Sequence, residues 1–511
     1  MLTHRDVLSS NASAYGARVA LVSDQGEQTT YLALEERTNR LARGMLDLGL
    51  RRGDRVIWLD QNSVEFLVAY FATAKIGVTF TPLNYWLRAG ELAPQIELVS
   101  PRLCFAGEEF AELADEALSL AKCDPARILL QGQRDGWRAW SEAFSEIAEP
   151  IDTPIDEVDV HEIIFTSGTT GQAKGVMRSQ RKRILDSYCA ALAFELTRSD
   201  HMLWFLPQFH IGGGSVPNQL LVQGGKVTVL RRFDPAVVAS HIDKGITYIV
   251  GVPAHYNLLF ESGVLDGVDT SKVRGCYVGG SASGRVLFEQ ILARFPNAEL
   301  VHGYGSTESG PHTMALRGQD FLDHFGALGL PVPGSRVRVL DPETLTDAAP
   351  GIVGELLVKS EAVMDGYLGR PDLTEVAFHE GWLRTGDLVV RDADGWFSMV
   401  DRLKDMVITG GENVYPKEVE DVLTSHSAVA EAAVFGVPDP TYEERVIACV
   451  RLVPDAQLAG TDALISYVRE RLAGYKTPKE IMIVEDFPRT GVGKISKVEL
   501  RDQYMAKRRA A

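Results

Sequence analysis

The chain is predicted to adopt an α/β fold: a large N-terminal domain of α/β lobes with mostly parallel sheets, followed by a small α+β C-terminal domain. Three observations lead there. A length of 511 residues exceeds one ordinary hydrophobic core, so two or more domains are expected. Short apolar runs alternate with amphipathic stretches through the N-terminal third and the middle of the chain, the pattern of parallel strands covered by helices. Past Gly351 that rhythm changes to a compact mixture of strands and helices.

In the N-terminal third, residues 54–59 (DRVIWL) predict a strand, 63–76 an apolar helix, and 77–82 the approach to another strand. This third is expected to form a second α/β lobe that shares an interface with the middle of the chain. There, 179–196 carries helical spacing at Ile184, Tyr188, Ala191 and Leu192, and 226–230 (KVTVL) reads as a strand. Asp234-Pro235 supplies the N-cap and first turn of the next helix. A strand at 246–252 and a helix at 255–261 follow; short strands at 273–278 and 299–301 then flank a helix at 285–295. Beyond Gly351, strands are predicted at 354–359, 395–400, 430–437 and 446–453, and helices at 415–423 and 462–472. The domain boundary falls near Asp401, giving domains of residues 1–400 and 401–511.

A formal net charge of −17 argues against nucleic acid, whose binding depends on neutralising phosphates, and against an anionic membrane surface. Apolar residues at 45% and charged ones at 24% fit a soluble globular protein. The longest uncharged stretch, 202–225, contains two prolines and three consecutive glycines, so no integral membrane segment is expected. The five cysteines are scattered without a C-x-x-C pair, and the opening MLTHRDVLSS lacks the pattern of a secretory leader. A reducing, cytoplasmic setting is expected. A homodimer is an assembly the sequence leaves open.

Residues 165–176 read FTSGTTGQAKGV and follow the apolar stretch HEIIF. Glycine lets backbone N–H groups approach an anion, hydroxyls add donors, and Lys174 adds a full positive charge. A surface linker can share that composition. The spacing departs from the Walker A pattern, which needs Gly, four residues, then Gly-Lys-Ser/Thr. The expectation is a nucleotide triphosphate held outside an ordinary P-loop.

Four further segments carry unusual polar chemistry: GYGSTESG at 303–310, RTGD at 384–387, DRLKDMVITGGENVYP at 401–416 and PRTGVGK at 488–494. With these in order, the chain resembles the acyl-adenylate-forming superfamily, which includes acyl- and aryl-CoA synthetases, luciferases and peptide-synthetase adenylation domains. The resemblance runs from about Tyr31 to Lys497.

That resemblance implies a division of labour which the residue types make chemically sensible. ATP and Mg²⁺ are the implied cofactors, with coenzyme A as co-substrate. Glu308 is the implied metal ligand, since a hard cation prefers carboxylate oxygen. Thr166, Ser167, Thr169 and Thr307 would donate to phosphate oxygens, with Gly168, Thr170, Gly171 and Lys174 completing the cradle. Asp387 would accept the ribose hydroxyls, and Arg402 would add a ribose or phosphate contact. Tyr304 and Gly305, with Gly280, Ser281 and Ala282, would border the adenine. Lys494 is the implied catalytic cation, reaching from a mobile C-terminal domain to bridge carboxylate and α-phosphate. That domain would swing about Asp401, after which Gly410 and Gly411 would line a path for pantetheine.

His210 matches the position that closes the acyl pocket, and Trp204, Phe209, Gly279 and Gly303 would line it. His302 stands before GYGSTE where a dicarboxylate would call for a nearby arginine, and 204–225 holds no lysine or arginine. The expected substrate is a fatty or aromatic monocarboxylic acid. The implied reaction is an AMP-forming acid–thiol ligation giving an acyl-CoA. Transfer to a carrier-protein thiol or another nucleophile is the alternative. A nucleotide-binding regulator without activity would be expected to lack Glu308, Asp387 or Lys494, and all are present.

Overall fold

A computed structural model describes residues 1–166, 173–280, 284–409, 412–440, 442–454, 456, 458, 460–489 and 495–510. These residues fall into two compact units, one of 1–166, 173–337 and 358–385, the other of 338–357 and 386–510.

The first unit holds two sheets built on parallel strands. In one, Val160–Thr166, Thr79–Pro82, Arg55–Leu59, Leu103–Ala106, Ala126–Leu129 and Arg138–Ala139 lie side by side in parallel. Lys174–Ser179 and Gly366–Tyr367 add to its edge in antiparallel fashion. In the other, Glu299–Ser306, Gly275–Gly279, Tyr248–Gly251, His201–Trp204, Lys226–Val229 and Val19–Val22 run parallel. Such sheets need both faces covered, and their strands are correspondingly apolar. Tyr248–Gly251 and Gly275–Gly279 are buried along their whole length.

Side-chain caps open two of the helices, one of them the cap that the sequence predicts at Asp234-Pro235. Ser63 accepts from the Phe66 N–H at the head of Val64–Lys75. Asp234 accepts from Ala236 and Val237 at the head of Pro235–Asp243, with Pro235 in the first turn.

The strands on either side of the glycine-rich motif pair in antiparallel fashion, with Thr166 opposite Lys174. One motif differs from its predicted local structure. GYGSTESG, expected to follow a strand, continues one: Glu299–Ser306 pairs with Gly310–Arg317 around a turn at 307–309. Glycine reads locally as a strand breaker, yet here it permits close approach. A Cβ on Gly305 would lie 2.2 Å from the Gly310 carbonyl oxygen.

A buried ionic cluster ties this unit together. The Nε of Arg183 lies 2.7 Å from Glu162 Oε2, and its guanidinium also meets Asp186 at 3.2 Å and donates to the Ser215 hydroxyl at 2.9 Å. These side chains come from one strand and two helices, Gln180–Ala193 and Ile211–Leu221. Burial pushes both carboxyls up, and the neighbouring guanidinium groups of Arg178 and Arg183 oppose it.

The C-terminal part of the second unit is a five-stranded sheet ordered Glu412–Val414, Val407–Thr409, Glu443–Leu452, Val429–Asp439, with Glu480–Ile483 pairing to Glu443–Leu452. Val419 and Leu423 of helix Pro416–Thr424, with Leu464 and Val468 of Thr461–Arg469, pack in one core cluster. Leu500 and Tyr504 of Lys497–Ala510 pack in another. The architecture is α/β with parallel sheets and a smaller C-terminal domain, as the sequence predicts.

Arg183→Leu removes the guanidinium in contact with both Glu162 and Asp186 and leaves Arg178 to balance two buried carboxyls. The expected cost is roughly 3–5 kcal/mol of unfolding free energy. Urea denaturation checks it; a loss under about 1 kcal/mol would contradict the account.

Candidate active site

Lys174 opens the second strand of the hairpin, half-buried, opposite Thr166. Its Nζ lies 5.0 Å from the centroid of the Tyr367 ring, within cation–π range. The Tyr367 hydroxyl donates to Glu308 Oε1 at 3.0 Å. One buried tyrosine therefore touches both the cation predicted to meet the phosphates and the carboxylate predicted to hold the metal. Its own place is set by the sheet edge, where Tyr367 lies opposite Val176 and the Leu368 N–H donates to the Gly175 carbonyl at 2.8 Å. Burial and the Glu308 carboxylate both push the phenol well up, so it remains a donor.

The turn that carries Glu308 is braced from several sides. Arg178, fully buried, donates to the Thr307 carbonyl at 3.1 Å and to the Ala362 carbonyl. The Met364 N–H donates to the Glu308 carbonyl at 2.8 Å. The Ser309 hydroxyl accepts from the Ser306 N–H and the Thr313 hydroxyl, each at 3.0 Å. A carboxylate fixed in this way suits a hard divalent cation shared with phosphate oxygens. Among the described residues no group of three His, Cys, Asp or Glu side chains converges as a metal cage.

Tyr304 is half-buried opposite Met314. Gly280 takes a φ of +84°, a conformation that favours glycine. His302 bonds through Nδ1 to the Val278 carbonyl at 2.8 Å, and burial lowers its pKa. Phe209 is buried with its ring 5.2 Å from Tyr85 and 5.1 Å from Trp86. His210, half-buried, is the N-cap of Ile211–Leu221. Trp204 lies in the core against Phe66, ring centroids 5.9 Å apart. Gly279 and Gly303 are register partners on adjacent parallel strands. The Tyr277 ring spans both: a Cβ on either glycine would lie 2.6 Å from its hydroxyl.

In the second unit, Asp387 and Arg402 face each other across an antiparallel pair, with Arg402 Nε 3.3 Å from Asp387 Oδ1. Asp387 is buried and Arg402 exposed. Asp401, also buried, accepts from the Lys417 N–H at 2.7 Å and thereby ties its strand to helix Pro416–Thr424. Burial pushes its carboxyl up, against two backbone hydrogen bonds.

Ser167, Gly168, Thr169, Thr170, Gly171, Ser281, Ala282, Gly410, Gly411 and Lys494 lie outside the described residues. Sequence reasoning missed Tyr367, Arg178 and Tyr277. Nothing local marks them: Arg178 and Thr307 are 129 positions apart, and Tyr367 and Glu308 are 59 apart.

These features define a protein of the adenylate-forming class. A family model described as AMP-binding enzyme matches residues 8–368, and one for the AMP-binding enzyme C-terminal domain matches 418–494. The chain belongs to the AMP-binding enzyme family. A feruloyl-CoA synthase from an Amycolatopsis species is 34% identical over 483 residues, 94% of each chain. A long-chain-fatty-acid–CoA ligase from Mycobacterium tuberculosis is 32% identical over 515 residues, 99% of this chain and 98% of the relative. Among solved structures, the o-succinylbenzoate coenzyme A synthetase of Bacillus subtilis in complex with ATP and magnesium superimposes with a TM-score of 0.83 at 28% identity. That match covers 97% of this chain and 98% of the other.

Tyr367→Phe removes the donor that orients Glu308 and keeps the ring beside Lys174. The expected result is about a tenfold rise in the Mg²⁺ concentration giving half-maximal pyrophosphate release. A Mg²⁺ titration with unchanged midpoint would contradict the positioning role.

Proposed function

We propose that this chain joins a monocarboxylic acid to ATP, giving an acyl-adenylate and pyrophosphate, and then transfers the acyl group to coenzyme A with release of AMP. The observation that carries this reading is the Lys174–Tyr367–Glu308 constellation at the glycine-rich hairpin. Joining a carboxylate to a polyphosphate brings two anions together, so the protein must supply fixed positive charge and donors where charge redistributes. The relatives' CoA-ligase chemistry supports the choice of coenzyme A.

Lys174 and the hydroxyls of Thr166 and Thr307 hold the phosphates. Magnesium bound at Glu308 would neutralise phosphate charge. Asp387 accepts from the ribose hydroxyls, and Arg402 steadies it. Tyr304, Gly305 and Gly280 border the adenine. Phe209, His210, Gly279 and Gly303 shape the acyl side. Lys494 is the catalytic cation of the first half-reaction, carried on a C-terminal domain that turns about Asp401. Gly410 and Gly411 admit pantetheine in the second. The absence of lysine and arginine from 204–225 suits a monocarboxylic acid, fatty or aromatic. Five free thiols suit a cytoplasmic setting. Among the described residues no helix is long and apolar enough to cross a membrane.

Incubation with acid, ATP, Mg²⁺ and coenzyme A is expected to yield AMP and pyrophosphate; ADP would exclude the assignment. Lys494→Ala is expected to slow adenylation by about 10²-fold or more, while thioester formation from supplied acyl-adenylate survives. Equal loss in both half-reactions would contradict the assignment of Lys494 to the first.

A further inference from the structure

Tyr277, His312 and Gln219 form a buried polar relay beside the Gly279–Gly303 pair. The Gln219 amide nitrogen lies 2.7 Å from His312 Nε2, and His312 Nδ1 lies 3.4 Å from the Tyr277 hydroxyl. All three side chains are buried, and the Phe194 ring lies edge-on to His312, centroids 4.7 Å apart. Burial, with help from Arg183, holds His312 down at about 3, so its ring is neutral and carries one N–H.

Proton placement through the relay follows from the donor inventory. The Gln219 NH₂ donates, so His312 Nε2 accepts. The single ring proton is then on Nδ1, which donates to the Tyr277 oxygen. The phenolic hydrogen is left over, and among the described residues the Tyr277 hydroxyl has no further hydrogen-bond partner. A buried donor without an acceptor is costly unless something else accepts it.

The position of that donor indicates what accepts it. Gly279 ends its parallel strand, and ligands of such sheets bind beyond the carboxyl ends of the strands. Tyr277 lies two residues inward from that end. Its hydroxyl covers both glycines, at 2.6 Å from where either Cβ would stand. An acyl group entering from the carboxyl end would meet this donor with its far part.

We propose that the Tyr277 hydroxyl, oriented by His312 and Gln219, donates a hydrogen bond to an oxygen on the side chain of the substrate acid. The inference rests on the acid-ligase reading of the same site. The substrate class is then an acid bearing a hydroxyl, ether or carbonyl oxygen, and an unbranched hydrocarbon chain is discriminated against. Tyr277 is a specificity residue that touches substrate; His312 and Gln219 are positioning residues.

The test is kcat/KM for pyrophosphate release with 3-phenylpropenoic acid, its derivatives carrying hydroxyl or methoxy groups at ring positions 3 and 4, and octanoic acid. The wild type is expected to favour the best oxygenated acid over the unsubstituted one by about tenfold or more. Methoxy derivatives keep the advantage, because an ether oxygen only accepts. Tyr277→Phe brings the ratio to within about threefold of one. A wild type that prefers octanoic or the unsubstituted acid, an advantage confined to hydroxyl groups, or a ratio unchanged in Tyr277→Phe overturns this proposal alone. No pyrophosphate release with any acid overturns the ligase reading, and this proposal with it.

Discussion

A single fully buried guanidinium holds up the phosphate side of the site. Arg178 donates to the carbonyls of Thr307 and Ala362, two segments that the Met364 N–H and the Tyr367 hydroxyl also join at Glu308. Burial works against its charge, and Asp186 and Glu162 oppose that effect. Strands, helices and the Glu308 turn are thus joined through one electrostatic network. Its charges are individually costly to bury and mutually necessary.

From that brace the functional geometry follows by short steps. The Ala362 carbonyl is fixed, so the chain from Met364 to Leu368 runs along the hairpin edge. Tyr367 then stands between Lys174 and Glu308. The aromatic face steadies a cation and the hydroxyl steadies an anion. A cation and a carboxylate held beside one tyrosine suit phosphate binding with a shared divalent cation.

Much of the fold was legible in the sequence because its signals are local. The Asp234-Pro235 cap, the apolar helix after residue 63 and the apolar strands of the parallel sheets depend on residues within a few positions of one another. The chemistry of Glu308, Lys174 and Asp387 was legible from motif and residue type. The strand through Gly303 and Gly305 was not, because glycine lowers strand propensity wherever another backbone comes close. Arg178, Tyr367 and the Gln219–His312–Tyr277 relay were invisible for a different reason. Their partners are remote in sequence, and an isolated Tyr, Arg or His reads as ordinary core or surface.

Exchange of labelled pyrophosphate into ATP, with acid and Mg²⁺ present and coenzyme A omitted, tests most directly whether the braced carboxylate serves acid activation. The wild type is predicted to exchange label only when acid is supplied, and Glu308→Gln to lose at least about tenfold of that rate. Exchange independent of acid, or equal in the two proteins, would contradict the account.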